Sequence, residues 1–198
     1  MKSLVIHPAD SSTIFLKNIY SDLKDKTVIT GNITKDQLRK HIQDHDRVIC
    51  CGHGSPAGLF SVGRFPGAYP YIVDDSMVAV LSNKTNSIFI WCYASEFIKK
   101  HNLYGFATSM FISQEDEAVY FNFWNLKNLK KLIDESNNGF AEMVAKFINE
   151  PVDILYQNVL QEYGMLAKTN PIALFNFKRL YLSQTEPVLF PDKVGEIL

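Results

Sequence analysis

Between Ser3 and Ser113 the chain alternates short apolar runs with segments whose apolar residues recur at helical spacing. Ser3–His7 reads as a first strand, "KTVIT" at Lys26–Thr30 as a second and "RVICC" at Arg47–Cys51 as a third. "SIFIW" at Ser87–Trp91 and "GFATSMFIS" at Gly105–Ser113 read as a fourth and a fifth. Short, nearly continuous apolar runs of this kind are what strands buried on both faces require. After the first strand, Asp10 to Ser12 can cap a helix in which Ile14, Leu16, Ile19, Tyr20 and Leu23 recur near helical spacing. Thr34 with Gln37 forms a capping box that opens a second helix through Leu38 and Ile42.

Strands three and four are separated by the loop-like "GRFPGAYPYIV" and a helical stretch from Asp75 to Leu81, enough chain for a crossover. Such crossovers are right-handed, so these two strands can run parallel with their carboxyl ends at one sheet edge. Beyond them, Ser95–His101 reads as a short helix, and the pattern turns helical in "DEAVYFNFWNLKNLKKLI", "GFAEMVAKFI" and "VDILYQNVLQEYGML". Pro171–Leu182 fits either a sixth strand or a helix. Tyr120, Phe121, Phe123 and Trp124 are expected in the core or at an interface rather than as a ligand platform.

The expectation is an α/β fold: a mostly parallel sheet of about six strands flanked by helices. With 198 residues, 46% of them hydrophobic, the chain closes one core, so 1–198 is read as a single domain with 125–198 as its helix-rich C-terminal part.

Charge narrows the function classes. Lysine and arginine (20) nearly cancel aspartate and glutamate (21), leaving no single-sign field to draw the protein to nucleic acid or anionic lipid. "MKSLVIHPAD" reaches Pro8 and Asp10 too early for a signal peptide, and no run approaches the ~20 apolar residues of a membrane span. A cytoplasmic location is expected. The three cysteines, Cys50, Cys51 and Cys92, do not suggest a disulfide framework. Neighbouring strand residues face opposite ways, so Cys50 and Cys51 cannot both serve one metal with His53, and no metal site is expected.

Two residues carry candidate chemistry. His53 follows "VICC" and Cys92 directly follows "SIFIW", so each sits at the carboxyl end of an expected strand, where open parallel sheets collect reacting groups. Only a thiolate attacks, and a histidine across the cleft can take the thiol proton and later give it to a leaving amine. Gly54 lacks a side chain, so its N–H can approach a bound carbonyl oxygen, and the N–H of Cys92 is a second donor for an oxyanion hole. The helix starting near Ser95 points its positive end toward Cys92, which is expected to favour the thiolate.

An apolar strand ending in His-Gly, followed by a second ending in Cys, resembles the caspase-like cysteine peptidases. The bacterial CHAT domains are the nearest likeness: "CGHGSPAGLF" is similar to their histidine block, "IFIWCYAS" to their cysteine block and "LYGFATSMFISQEDEAVYFNFW" to the strand and helix that follow. The likeness spans about Val48 to Trp124. It implies a three-layer caspase-like sandwich, a His53–Cys92 catalytic dyad, oxyanion donors at Gly54 and Cys92, and cleavage of a protein or peptide substrate without a cofactor. Caspases carry a glutamine two residues before the nucleophile; Ile90 stands there in this chain, so preference for aspartate is not implied.

Asp10 lies where members of this family place a charged residue against the substrate side chain, and Asp116 is a second candidate. A carboxylate there would select arginine or lysine before the scissile bond. Both residues have structural readings too, Asp10 as a helix cap and Asp116 as a solvated helix-start residue. Two other functions compete. A caspase-like domain without hydrolysis would serve as a protein-interaction module for a regulatory partner. A phosphate-binding turn at Gly52 and Gly54 is disfavoured, because "GHGSPAG" is neither a dinucleotide fingerprint nor a P-loop.

Overall fold

The computed structural model describes residues 1–183. In chain order the strands are β1 (Ser3–Ile6), β2 (Lys26–Ile29), β3 (Arg47–Cys51), β4 (Gly54–Ser55), β5 (Gly58–Phe60), β6 (Tyr71–Val73), β7 (Ser87–Ile90), β8 (Gly105–Thr108) and β9 (Leu180–Leu182). Six of them form one sheet in the order β2-β1-β3-β7-β8-β9. The first five run parallel and β9 closes the edge antiparallel to β8. The chain is therefore α/β with a mostly parallel six-stranded sheet.

The strands alternate strictly in what they bury. Leu4, Ile6, Val48, Cys50 and Phe89 face one layer, together with Leu38 and Ile42 of α1 (Lys35–Gln43), Leu81 of α2 (Val78–Leu81) and Phe97 and Ile98 of α3 (Ala94–Lys100). Val5, Ile49, Cys51, Ile88, Ile90 and Phe106 face the other. That second layer holds Leu16 and Ile19 of a 3-10 helix at Ser11–Ile19, Phe140 and Val144 of α5 (Leu129–Lys146), Val159 and Tyr163 of α6 (Val152–Ala167) and Ala173 of α7 (Pro171–Phe177). Each such Val, Leu, Ile or Phe side chain contributes roughly 1.5–3 kcal/mol when fully buried, which is why a run such as "RVICC" stays strand with both faces covered. Cys50 and Cys51 accordingly pack into opposite layers.

Several expectations need correction. The segment after β1 winds as a 3-10 helix and ends at Ile19, short of Leu23. Thr13 Oγ1 donates back to Asp10 O at 3.3 Å, one of the local side-chain bonds that compete with regular α-helical pairing. Between β3 and β7 the expected loop contains a three-stranded antiparallel sheet, β4-β5-β6, whose two- and three-residue strands are too short to show a period. The fifth strand stops at Thr108 rather than Ser113. "DEAVYFNFWNLKNLKKLI" is broken: α4 (Glu115–Tyr120) ends before Asn122 and Asn128, both left-handed, and α5 then runs unbroken through Gly139. A Cβ at Gly139 would sit 2.8 Å from Leu166 Cδ2, so the glycine lets α6 lie close instead of ending a helix. Pro171–Leu182 holds both of its alternatives, α7 and then β9. In the aromatic cluster, Phe121 and Phe123 pack against Phe175, whereas Tyr120 and Trp124 are exposed. Residues 184–198, expected from the sequence to belong to the helix-rich C-terminal part, lie outside the described residues. Among those described, no helix is long and apolar enough to cross a membrane.

Candidate active site

Strand order reverses at β1, which has β2 on one side and β3 on the other. At such a switch point the connections diverge and leave a crevice beyond the carboxyl ends of the strands. Four strand ends meet there, those of β1 (Asp10, Ser12), β3 (His53), β7 (Cys92) and β8 (Phe111, Gln114).

His53 and Cys92 reach this edge because β3 and β7 are hydrogen-bonded neighbours with Cys51 opposite Ile90. The bond from Gly52 N to Ile90 O, 3.0 Å, carries the ladder past the strand ends, so the two residues leave the sheet side by side. Both are half-buried. Their local turns are interlocked by Trp91, whose Nε1 donates to Ser55 O at 3.1 Å. A Cβ at Gly54 would fall 2.2 Å from Trp91 Cδ1 and 2.5 Å from Gly58 O. Close packing alone therefore demands the glycine after His53.

The β7 strand turns into α3 through Tyr93, held left-handed at φ 66° with Ala94 N bonded to Trp91 O at 3.1 Å. That conformation costs a non-glycine residue about 1–2 kcal/mol, and here it turns the chain sharply at Cys92. Among the described residues no carbonyl accepts the N–H of Cys92. Cys92 Sγ donates to Phe111 O at 3.6 Å and makes no hydrogen bond to His53. Burial pushes the thiol up to about 11, with the Phe111 contact opposing it and the charge of Glu117 adding to it. The expected help from α3 is outweighed: this helix has only seven residues, and desolvation dominates. At neutral pH Cys92 is a thiol, which attacks only if a base removes its proton as the new bond forms.

His53 has its own partners. Its Nε2 lies 2.6 Å from Ser12 Oγ and 3.3 Å from the Gln114 amide. Asp10 Oδ1 accepts from Ser12 N at 2.9 Å and from Ser12 Oγ at 2.7 Å, so Asp10 caps the 3-10 helix and also touches the histidine through Ser12. The Ser12 hydrogen bonds hold the Asp10 carboxyl below the usual carboxylate range. Asp116 is exposed in the first turn of α4 and borders a groove of about 290 Å³ walled by Tyr93, Met110, Tyr120 and Phe121. A larger concavity, about 860 Å³, lies along α5 and α6 away from all of these groups.

Sequence reasoning had Ser12 only as part of a helix cap and missed Phe111 and Gln114. The signal for Ser12 was its place just beyond the first strand, the same argument that singled out His53. For Phe111 and Gln114 no local signal exists. Their loop is held from α7, where Asn176 Oδ1 accepts from Ile112 N at 2.7 Å and its Nδ2 donates to Ile112 O at 2.9 Å, and from α5, where Asn137 Nδ2 donates to Ser113 O at 3.0 Å. No family model matches the chain, and a comparison with curated proteins finds no match.

Proposed function

We propose that this protein is a caspase-like cysteine endopeptidase in which Cys92 is the nucleophile and His53 the general base and acid. The observation that supports it most is the pairing of β3 with β7, which brings the His53 and Cys92 turns to one edge of a crevice. In this reading His53 takes the thiol proton while Sγ bonds to the scissile carbonyl carbon. The resulting oxyanion is met by the N–H groups of Gly54 and Cys92, each donor of this kind typically worth about 2.7–4 kcal/mol. Collapse of the intermediate breaks the C–N bond as His53 protonates the leaving amine. Water, deprotonated by the same ring, then hydrolyses the thioester and frees the acid and the thiol.

The substrate reading is cleavage after lysine or arginine. Asp10 takes both Ser12 bonds on Oδ1 and borders a hollow with Lys17 and Arg64, while a separate groove beside Tyr93 offers apolar walls for an aliphatic stem with Asp116 at its margin. One observation favours the second reading, a non-hydrolytic interaction module: Cys92 is bonded to Phe111 O rather than to His53, and its thiol is pushed up to about 11.

An acyloxymethyl ketone peptide ending in lysine or arginine separates the two. The peptidase reading expects one adduct per chain, at Cys92, lost in Cys92→Ala and in His53→Ala. Equal modification of Cys50, Cys51 and Cys92 favours the interaction module. Preference for acidic or apolar peptides in the same panel refutes the basic specificity.

A further inference from the structure

Asp10, Ser12 and His53 stand in series across the carboxyl ends of β1 and β3, with gaps of 2.7 Å from Asp10 Oδ1 to Ser12 Oγ and 2.6 Å from Ser12 Oγ to His53 Nε2. The protons in this series can be counted. A carboxylate only accepts, so the single hydroxyl proton of Ser12 fills the first gap. The second gap then needs a proton from the ring. Neutral imidazole has one N–H, so it must sit on Nε2, and the lone pair is on Nδ1.

We propose that Asp10 and Ser12 are positioning residues, a carboxylate–hydroxyl relay that fixes His53 as the Nε2–H tautomer and leaves Nδ1 to accept the Cys92 proton. The proposal rests on the reading of His53 as the general base. The ionised state it requires of Asp10 is the favoured one, since the Ser12 hydrogen bonds hold that carboxyl below its ordinary range. Capping accounts for both Ser12 bonds to Asp10, since Ser76 N and Oγ bond to Asp74 Oδ1 in the same way at 3.1 and 2.6 Å; what is particular to Asp10 and Ser12 is the His53 ring placed 2.6 Å beyond the hydroxyl. Gln114 competes for the same ring nitrogen. Its amide nitrogen stands 3.3 Å from Nε2, against 2.6 Å for Ser12. The shorter contact decides the proton, and the relay therefore requires the Gln114 amide to turn its oxygen toward the ring and give up its capping contact with the Glu117 backbone.

The test is a two-bond proton–nitrogen correlation spectrum of the full chain labelled with ¹⁵N-histidine, in mildly alkaline buffer. His53→Gln identifies the His53 signals among the five histidines. The expected wild-type result is a pyrrole-type shift at Nε2 and a pyridine-type shift at Nδ1. Ser12→Ala keeps the backbone N–H that Asp10 caps, so the fold survives while the link is lost. In this variant the two shifts are expected to move toward a tautomer mixture, and Ser12→Thr is expected to restore them. Labelling of Cys92 should slow about 10- to 100-fold in Ser12→Ala, a part of what general-base catalysis supplies, with recovery in Ser12→Thr. A pyrrole-type Nδ1 in wild type, or an unchanged spectrum in Ser12→Ala, overturns the relay. Failure of Cys92 to label in wild type overturns the peptidase reading instead, and the ring shifts still report on the relay.

Discussion

Acid should destabilise this fold in part through His7. The ring lies just past β1, 3% exposed, with Nδ1 2.8 Å from Tyr20 Oη and Nε2 3.1 Å from Thr13 Oγ1. Thr13 spends its own hydroxyl proton on Asp10 O, so it accepts from Nε2–H, and Tyr20 donates to Nδ1. A second proton on the ring has no acceptor in this arrangement. Burial, reinforced by the charge of Lys17, moves His7 down from 6.5 to about 4. Above 6.5 the ring is neutral whether the chain is folded or not, and there is no penalty. As pH falls from 6.5 toward 4 the unfolded chain binds a proton that the folded chain refuses. Stability is lost at about 1.4 kcal/mol for each tenfold rise in proton activity, reaching about 3 kcal/mol at the lower end. Urea unfolding of wild type and His7→Gln at a series of pH values isolates this contribution, because every other titrating group is shared. Wild type is expected to lose about 3 kcal/mol more than the variant between neutral pH and pH about 4. Parallel curves would refute the assignment.

Two further predictions concern the walls of the crevice. Gly54→Ala forces a methyl into the Trp91 ring and the Gly58 carbonyl, at 2.2 and 2.5 Å, and strains the Trp91–Ser55 bond; a loss of about 2–4 kcal/mol is expected in urea unfolding, and a loss below about 1 kcal/mol would show that the turn yields freely. Asn176→Ala strips both partners from the Ile112 backbone, so about 3 kcal/mol of stability and the exchange protection of the Ile112 amide should go together; unchanged protection would mean that the Asn137 and Glu117 bonds to Ser113 and Gln114 hold the loop without Asn176.

What was legible in the chain followed from local periods. The two-residue alternation of Leu4, Val5 and Ile6 or of Ile49, Cys50 and Cys51 is itself the record of two packed layers. Thr34 and Gln37 announced α1, and their capping box is formed. Features held by distant partners left no such trace. The break between the stretches ending at Ile133 and starting at Gly139 is absent because the side chain that explains the glycine, Leu166, belongs to another helix. His53, Cys92 and Ser12 were each visible as residues beyond a strand end, while their meeting depends on the adjacency of β1, β3 and β7, which no local spacing reports. Phe111 and Gln114 depend on Asn176, 64 residues from Ile112.

Trp91 joins the chain just before Cys92 to the chain just after His53, through a hydrogen bond to Ser55 and a face pressed on Gly54. Motion in the crevice is therefore unevenly shared. The two turns form one rigid jaw, since separating them would uncover a buried indole and break its bond. The Phe111–Gln114 loop, anchored on α7 and α5 instead, is the opposing jaw. In the peptidase reading, a peptide that displaced that loop would also carry off the carbonyl that holds the Cys92 thiol. Opening the crevice and freeing the thiol would then be one mechanical event.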